Sequence, residues 1–525
     1  MFPRVAAVRA DVGLAAALGA LQTLALVHTW AWPLQLLCVI WLAARVRSAT
    51  PRRAALLGAV FGTAWFATST WWLFISMHRY GGLAAPLAAI AVLLLALALA
   101  AFLALALAVF ARARRGPPVV DAALFAVAWG AAELARGLVF SGFPWGASGY
   151  AQVDGPLAVW APWIGVYGVG MLAAGSAALL AFCGEAWFAV MLRRGPTDAA
   201  PAVRRAARQA VLPALIGGVA LWLLPDAIGP IDFTQPTRTL QVTLLQTNVA
   251  QDQKFAAEHL PAALAWVAGA LTEAGGDLVI APETAVPLLP AQLEEFDPAY
   301  WPALRAHFEG AGRPAALIGV PLGDLAASDY SNSVVGLGGR TPYRYDKVHL
   351  VPFGEFIPLG FRWFTNLMNI PLGDFTRGEP NAPSFVTAGE RIAPNICYED
   401  LFGEELALRF RHDETAPTVL ANVSNIGWFG DTIAVPQHLN MSRMRTLELQ
   451  RPMLRSTNTG ATAIVDHRGQ VTAQLRPFTR GVLVGPVQGR AGRTPYAAWV
   501  ARIGLWPLLL AAWGLLIILA AQPRR

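Results

Sequence analysis

Apolar residues run almost unbroken through the first 225 positions and then give way to short alternating patches, so the chain reads as two unlike regions. A helix needs roughly 17–25 mainly apolar residues to cross a bilayer. Runs of that kind fall at about 12–28, 30–44, 54–76, 83–111, 119–135, 159–190, 209–225 and 497–521, which predicts about eight membrane-spanning helices. Arg4 and Arg9 precede the first run as in a secretory leader. No small-residue cleavage site follows, and further spans come at once, so the run reads as an uncleaved anchor.

From residue 232 to 495 the period changes. Leu240 to Val249, Asp277 to Ala281, Ala315 to Val320, Ser333 to Leu337, Ile392 to Cys397, Thr418 to Ser424, Thr462 to Asp466 and Val482 to Pro486 read as short strands. Leu260 to Ala274, Pro302 to Gly310 and His438 to Gln450 read as helices. Buried strands interleaved with helices predict a layered α/β domain. The expected organisation is a helical membrane domain over 1–228, a catalytic domain over 229–495, and a last span with its tail over 496–525.

Composition fits that division: 55% of the residues are hydrophobic and 14% charged, far from a soluble balance. The net charge of +7 raises nucleic acid as a partner, but the arginines cluster between apolar runs. Arg4 and Arg9, Arg45 to Arg53, Arg112 to Arg115, Arg193 to Arg208, and Arg524 with Arg525 fall on alternate sides of successive spans, hence on one face. Positively charged loops stay in the cytoplasm. That places the residue 229–495 domain on the extracytoplasmic side and makes nucleic acid an unneeded explanation. Cys38 and Cys183 lie in apolar runs and Cys397 is alone in the polar region, so no disulfide framework is available.

Glu283 follows a buried strand, where loop side chains gather into sites, although such a glutamate alone is more often a cap or a solvated residue. Lys347, His349 and Glu355 share a loop stiffened by aromatics and prolines; a lone lysine there is usually exposed, and His349 reads as structural. Cys397 ends an apolar run before Tyr398, Glu399 and Asp400, the position a nucleophile at a sharp strand end would take. Most isolated cysteines are small buried hydrophobes. In an oxidising compartment, however, an unpaired thiol is a liability unless buried or used. The histidines lack metal-ligand spacing, so no metal or other cofactor is expected. Glu133, Arg136 and Glu185 lie near or within spans and are equally open to structural or functional readings.

Together Glu283, Lys347 and Cys397 resemble the Glu-Lys-Cys triad of the nitrilase superfamily, whose fold is an αββα sandwich. The spans, the run from Lys347 through Glu355 to Pro358, Ile396-Cys-Tyr-Glu399 and Trp428-Phe-Gly430 resemble the bacterial apolipoprotein N-acyltransferases. Gly142-Phe-Pro-Trp-Gly146 and the stretch from Gln437 to Leu449 add to that resemblance. Phe255 stands after Lys254 where the family often has tryptophan, Asn425-Ile-Gly427 replaces its Asn-Asp, and a histidine-rich run is reduced to Ala434-Val-Pro-Gln-His438, so His438 is given no catalytic role.

The resemblance implies transfer of an acyl chain from a phospholipid, phosphatidylethanolamine as the expected donor, to the N-terminal diacylglyceryl-cysteine of apolipoproteins. Cys397 would be nucleophile, Glu283 base and Lys347 the cation that stabilises thiolate and oxyanion. Glu355, Tyr398 and Glu399 would support them, and Phe255, Trp363, Phe364 and Trp428 would contact substrate. The apolar run after Glu355 would act as a lid at the lipid interface. The expected setting is a multi-pass protein of the bacterial inner membrane with its catalytic domain in the periplasm, acting as a monomer. Two other readings stay open from the residues alone: a membrane-anchored amidase using the same triad, and a transporter with an appended binding domain.

Overall fold

The computed structural model describes residues 2–192, 216–223, 229, 231–310, 312–324, 329–358, 360–362 and 374–517. The chain divides into two compact units: Met1–Trp71, Ala89–Ile231 and Leu505–Arg525 form one, and Trp72–Ala88 with Asp232–Gly504 form the other.

Arg9–Val27, Thr29–Arg47, Ala85–Ala113, Pro118–Ser141 and Pro156–Glu185, all in the first unit but for the first turn of Ala85–Ala113, are long and apolar enough to cross a bilayer. The run expected over 54–76 forms a helix that starts earlier, with Pro51 and a Thr50 cap, and stops at Ser69. The expected span at 209–225 lies largely outside the described residues; 216–223 is helical. The expected span at 497–521 is broken, because Pro495–Ile503 ends at Gly504, whose φ of 58° belongs to the left-handed region that glycine tolerates. Arginines of the predicted clusters meet at one end of this unit. Arg45 lies 2.8 Å from Asp11, which Arg53 also pairs, while Arg47 donates to the Phe182 and Gly116 carbonyls at 2.9 and 3.1 Å and Arg114 to Ala49 at 2.7 Å. The Gly116 and Ala49 carbonyls lie just past helix ends, where backbone acceptors are left open.

The second unit carries two six-stranded sheets. One has the order β12-β1-β2-β3-β4-β5, with β1 at Thr234–Gln246, β2 at Leu278–Ala281, β3 at Ala315–Asp324, β4 at Asp329–Leu337, β5 at Tyr343–Asp346 and β12 at Gly481–Gly492. The other has the order β11-β10-β9-β8-β7-β6, with β6 at Phe385–Thr387, β7 at Glu390–Ile396, β8 at Val419–Ser424, β9 at Met453–Thr457, β10 at Ala463–Val465 and β11 at Val471–Gln474. Both have a parallel centre: Val242 pairs Leu278 and Leu278 pairs Ala315 in one, Ile396 pairs Val423 and Val423 pairs Ser456 in the other.

Side chains alternate across a strand, so each sheet divides its residues between two layers. Leu244, Ile280 and Leu317 share one buried cluster with Ile396, Val423 and Leu454 of the other sheet. On the opposite face of the first sheet, Val279, Ala316 and Ile318 pack with Leu264 and Val267 of the helix Leu260–Glu273 and with Leu304 and Phe308 of the helix Tyr300–Phe308. The helix Ala434–Leu449 meets the second sheet, where its Ser442 bonds Arg455 of β9. The result is a helix, sheet, sheet, helix sandwich, the arrangement expected from the resemblance.

Candidate active site

Parallel strands deliver their C-terminal ends to one edge of a sheet, where loop residues can converge. Glu283 follows β2, Cys397 follows β7 and Asn425 follows β8; Lys347 follows β5 and Asn332 lies within β4. Glu283 is held from several sides. Its Oε1 accepts Asn332 Nδ2 at 2.6 Å, its Oε2 accepts the Asn425 amide at 2.7 Å, and its carbonyl accepts Lys254 Nζ at 3.0 Å. Gly319 of β3 makes room for this turn, since a Cβ there would sit 2.2 Å from the Pro282 oxygen and 2.7 Å from Glu283 Cα.

Lys347 is 1% exposed and reaches two carboxylates, Glu355 Oε1 at 2.8 Å and Glu283 Oε1 at 3.8 Å. Asn332 Nδ2 also donates to Glu355 Oε1 at 2.9 Å, and the Val351 amide donates to Oε2 at 2.8 Å. One amide side chain therefore spaces the two carboxylates that share Lys347.

Cys397 has a φ of 53°, which crowds the Cβ of an L-residue and lifts the side chain out of the strand line at the start of the 3-10 turn Cys397–Leu401. Its carbonyl accepts Asn422 Nδ2 and His438 Nε2, each at 3.2 Å. Arg455 Nη2 lies 3.1 Å from His438 Nδ1. A guanidinium only donates, so Nδ1 is the acceptor and Nε2 carries the proton that faces the Cys397 carbonyl and, at 3.0 Å, Asp400 Oδ1. Asp400 Oδ2 takes Arg455 Nη1 at 3.0 Å and the Ser442 hydroxyl.

Electrostatics separates these groups. Burial and the Glu283 carboxylate push the Cys397 thiol well above its ordinary pKa, against the opposing pull of Lys347 and the Asn425 amide. The resting sulfur is therefore a thiol, and a thiolate forms only if a proton moves. Burial alone would lower Lys347, but Glu355 and Glu283 outweigh it and raise its pKa. Burial lowers Lys254 to about 8, with Glu283 and Cys397 acting in the other direction.

The remaining expected residues fall in different places. Glu399 is 3% exposed, and burial raises its pKa; it accepts the Ile396 amide at 2.6 Å, the Val348 amide at 2.6 Å and the Tyr345 hydroxyl at 2.8 Å. It ties the strand before Cys397 to the residues after Lys347. Tyr398 packs with Phe402 and His349 at ring distances of 5.2 and 5.6 Å, and His349 Nδ1 lies 2.8 Å from Glu405. Phe255 is 58% exposed beside buried Lys254; Trp428 is 39% exposed, edge-on to Tyr80 at 5.6 Å. Trp363 and Phe364 lie outside the described residues. Glu133 accepts the Ser148 amide at 2.7 Å, and Arg136 donates to the Phe143 and Trp145 carbonyls at 2.8 and 2.9 Å, which anchors the Gly142–Gly146 motif.

The family model of the apolipoprotein N-acyltransferase N-terminal domain matches residues 18–179, and that of carbon-nitrogen hydrolases matches residues 241–496. An apolipoprotein N-acyltransferase of Verminephrobacter eiseniae is 51% identical over 93% of this chain and 92% of its own. The chain belongs to the apolipoprotein N-acyltransferase family. Proteins of that name from Ralstonia nicotianae and Bordetella bronchiseptica are 45% and 42% identical, over 99% and 94% of this chain and 95% and 93% of theirs. Within this apolipoprotein N-acyltransferase fold, sequence reasoning missed Asn332, Asn425 and Lys254 as members of the pocket. Asn332 carried a usable signal, a run of Ser331, Asn332 and Ser333 where a buried strand would otherwise be apolar. In the sequence Lys254 stands out only as the neighbour of Phe255.

Proposed function

We propose that this chain moves an acyl chain from a phospholipid, through a thioester on Cys397, to the α-amino group of the diacylglyceryl-cysteine that begins an apolipoprotein. The observation that carries the reading is the arrangement of Glu283, Lys347 and Glu355 around Asn332, with Lys347 2.8 Å from Glu355 and 3.8 Å from Glu283, beside a cysteine held at positive φ. Such a set supplies a base, a buried cation and a half-buried nucleophile.

The steps follow from the charges. As the thiol attacks the donor ester, Glu283 takes its proton, because the free thiolate is disfavoured in this pocket. Lys347 and the Tyr398 amide stabilise the tetrahedral oxyanion. Collapse breaks the ester C–O bond, and Glu283 returns the proton to the departing lysophospholipid oxygen. The acceptor amine then attacks the thioester, Glu283 receives its proton, and the C–S bond breaks as Glu283 passes that proton to the sulfur, restoring the Cys397 thiol and the Glu283 carboxylate. The cycle is ping-pong. Glu355 keeps Lys347 charged and oriented, while Glu399 and Tyr398 shape the turn at Cys397.

The donor we propose is phosphatidylethanolamine, with Phe255, Trp363, Phe364 and Trp428 as contacts for lipid. The proposed setting is the inner membrane, with eight spans, the arginine-rich ends in the cytoplasm and residues 229–495 in the periplasm between a 1–228 helical domain and a final span over 496–525. The proposed state is a monomer. Incubating the purified protein with labelled phosphatidylethanolamine and a diacylated lipopeptide should give the N-acylated peptide and lysophospholipid in equal amounts. Release of free fatty acid with no modified peptide would overturn the reading.

A further inference from the structure

Lys254 is 5% exposed, yet among the described residues no carboxylate pairs with it; its one described hydrogen bond runs from Nζ to the Glu283 carbonyl at 3.0 Å. A carbonyl needs only a neutral donor, and burying an ammonium for that purpose is costly. The loop that carries Lys254 is itself tightly placed. The Val249 amide donates to Asn458 Oδ1 at 2.8 Å, and Asn458 Nδ2 donates to the Val249 carbonyl at 2.8 Å and to Asn425 Oδ1 at 2.9 Å. Asn425 Nδ2 then reaches Gln251 Oε1 at 2.9 Å, while the Asn425 amide holds the Glu283 carboxylate at 2.7 Å. Glu283 is thus gripped at both ends, its carboxylate by Asn425 and its carbonyl by Lys254, just before Thr284 turns to a φ of 52°.

Charge supplies the second argument. Glu283 and Glu355 share Lys347, which leaves that cluster one negative charge in excess, and Lys254 is the buried cation that offsets it. We propose that Lys254 is a positioning residue for acyl transfer: it fixes the main chain under Glu283 and supplies the second positive charge, with that of Lys347, that balances the Glu283 and Glu355 carboxylates in the buried site where Cys397 is to give up its proton. This rests on the assignment of those two residues above. The groups facing the ammonium are Glu283 and Cys397, both of which favour its charged form, with Lys347 and Glu355 beyond Glu283; burial works against the charge and brings it to about 8. Lys254 is therefore charged at neutral pH and loses its charge as pH rises through about 8, so acylation should fall on that alkaline side.

The test is single-turnover acylation of Cys397 by labelled phosphatidylethanolamine in the full-length protein, followed from pH 6 to 10. Lys254→Met should lower the rate at pH 7 by about tenfold or more, the effect of one pKa unit at the reacting pair, and abolish the limb near pH 8. Lys254→Gln keeps a donor for the Glu283 carbonyl without the charge and should also lose the limb. Lys254→Arg should restore most of the rate and shift the limb to higher pH. A wild-type limb in the Arg or Gln variant would overturn the proposal, whether or not the Met variant folds. Glu283→Gln and Cys397→Ser run alongside: normal acylation in Glu283→Gln would sink the triad itself. An inactive Glu283→Gln with wild-type behaviour in all the Lys254 variants would sink only the role of Lys254.

Discussion

Two buried charge clusters lie on either side of Cys397 in the chain's packing, and they differ in whether their charges are matched. On one side Asp400 is met by Arg455, His438 and Ser442, and Arg455 also donates to His438. Burial would raise Asp400, but those three partners bring its pKa below the ordinary carboxylate value. On the other side Glu283 and Glu355 divide one lysine while the second cation, Lys254, donates to the Glu283 carbonyl rather than to a carboxylate; Asn332 Oδ1 is buried with no hydrogen-bond partner among the described residues, and the neighbouring thiol is held well above its normal pKa. Buried polar groups with every partner in place rigidify a fold, whereas an incompletely matched set can still exchange charge. The matched cluster fixes the Cys397 carbonyl, and the unmatched one is where a proton can move.

The largest expected effects come from breaking the unmatched side. Cys397→Ser should reduce turnover by more than about a thousandfold, because a serine alkoxide is far harder to reach at neutral pH than a thiolate. The intact wild-type protein, given phospholipid and no acceptor, should carry an acyl adduct that hydroxylamine removes; mass spectrometry placing that adduct on another residue would refute the assignment. Glu283→Gln and Lys347→Ala should each slow acyl-enzyme formation by about a hundredfold or more, while phospholipid binding survives.

The matched side should respond in stability before it responds in rate. Asp400→Asn strands the Arg455 guanidinium in a buried position, and losing one partner of such a pair destabilises by about 3–5 kcal/mol. Chemical denaturation would measure this. The pH dependence has a definite sign: a carboxyl whose folded pKa is depressed stabilises above its unfolded pKa near 3.8 and loses that contribution as pH falls through the folded value. The wild type should therefore lose stability in acid more steeply than Asp400→Asn. If the variant instead keeps wild-type stability and loses acylation a hundredfold, the two clusters are not distinct in the way described.

This difference also decides what could be read from the chain. The strands that were foreseen are those with continuous apolar runs, such as Leu278–Ala281, whose four residues are all buried. β9, Met-Leu-Arg-Ser-Thr, is buried along its whole length but carries Arg455, and a strand that buries an arginine looks like a loop until its partner Asp400 is known. The helix at Ala434–Leu449 was placed to within a few residues although most of its polar side chains are buried. For the site, Glu283 and Cys397 stand out at the ends of apolar runs, while Lys347, with Glu355 in the same loop, gains its meaning only from the resemblance to the Glu-Lys-Cys triad. Asn332, Asn425 and Lys254 do not stand out, since an amide or a lysine acquires meaning only through the distances that folding imposes. The run over 54–76 misleads for a simpler reason: hydropathy continues past Ser69, where the helix itself stops.

The smallest expected effect tests whether the matched side has an exception. Glu404 follows the Cys397 turn in the short helix Gly403–Ala407, its Oε2 is buried without a hydrogen-bond partner among the described residues, and burial lifts its pKa to about 8, with the carboxylate of Glu405 adding to the shift and Arg445 opposing it. Below its unfolded pKa near 4.5 the group is protonated in both states and takes nothing from stability. Between that value and about 8 the unfolded chain ionises while the folded one holds its proton, so stability declines as pH rises and levels off above about 8. Glutamine keeps the shape and removes the ionisation. Glu404→Gln should therefore match the wild type near pH 5 and exceed it at pH 9, by about 3 °C at most in thermal unfolding for a chain of this size. Acylation of Cys397 at pH 7 should change less than twofold, because the group is neutral there in the wild type as well. A variant that melts lower at pH 9 would show Glu404 to be ionised and paired, and the buried region beneath the turn would then be matched throughout.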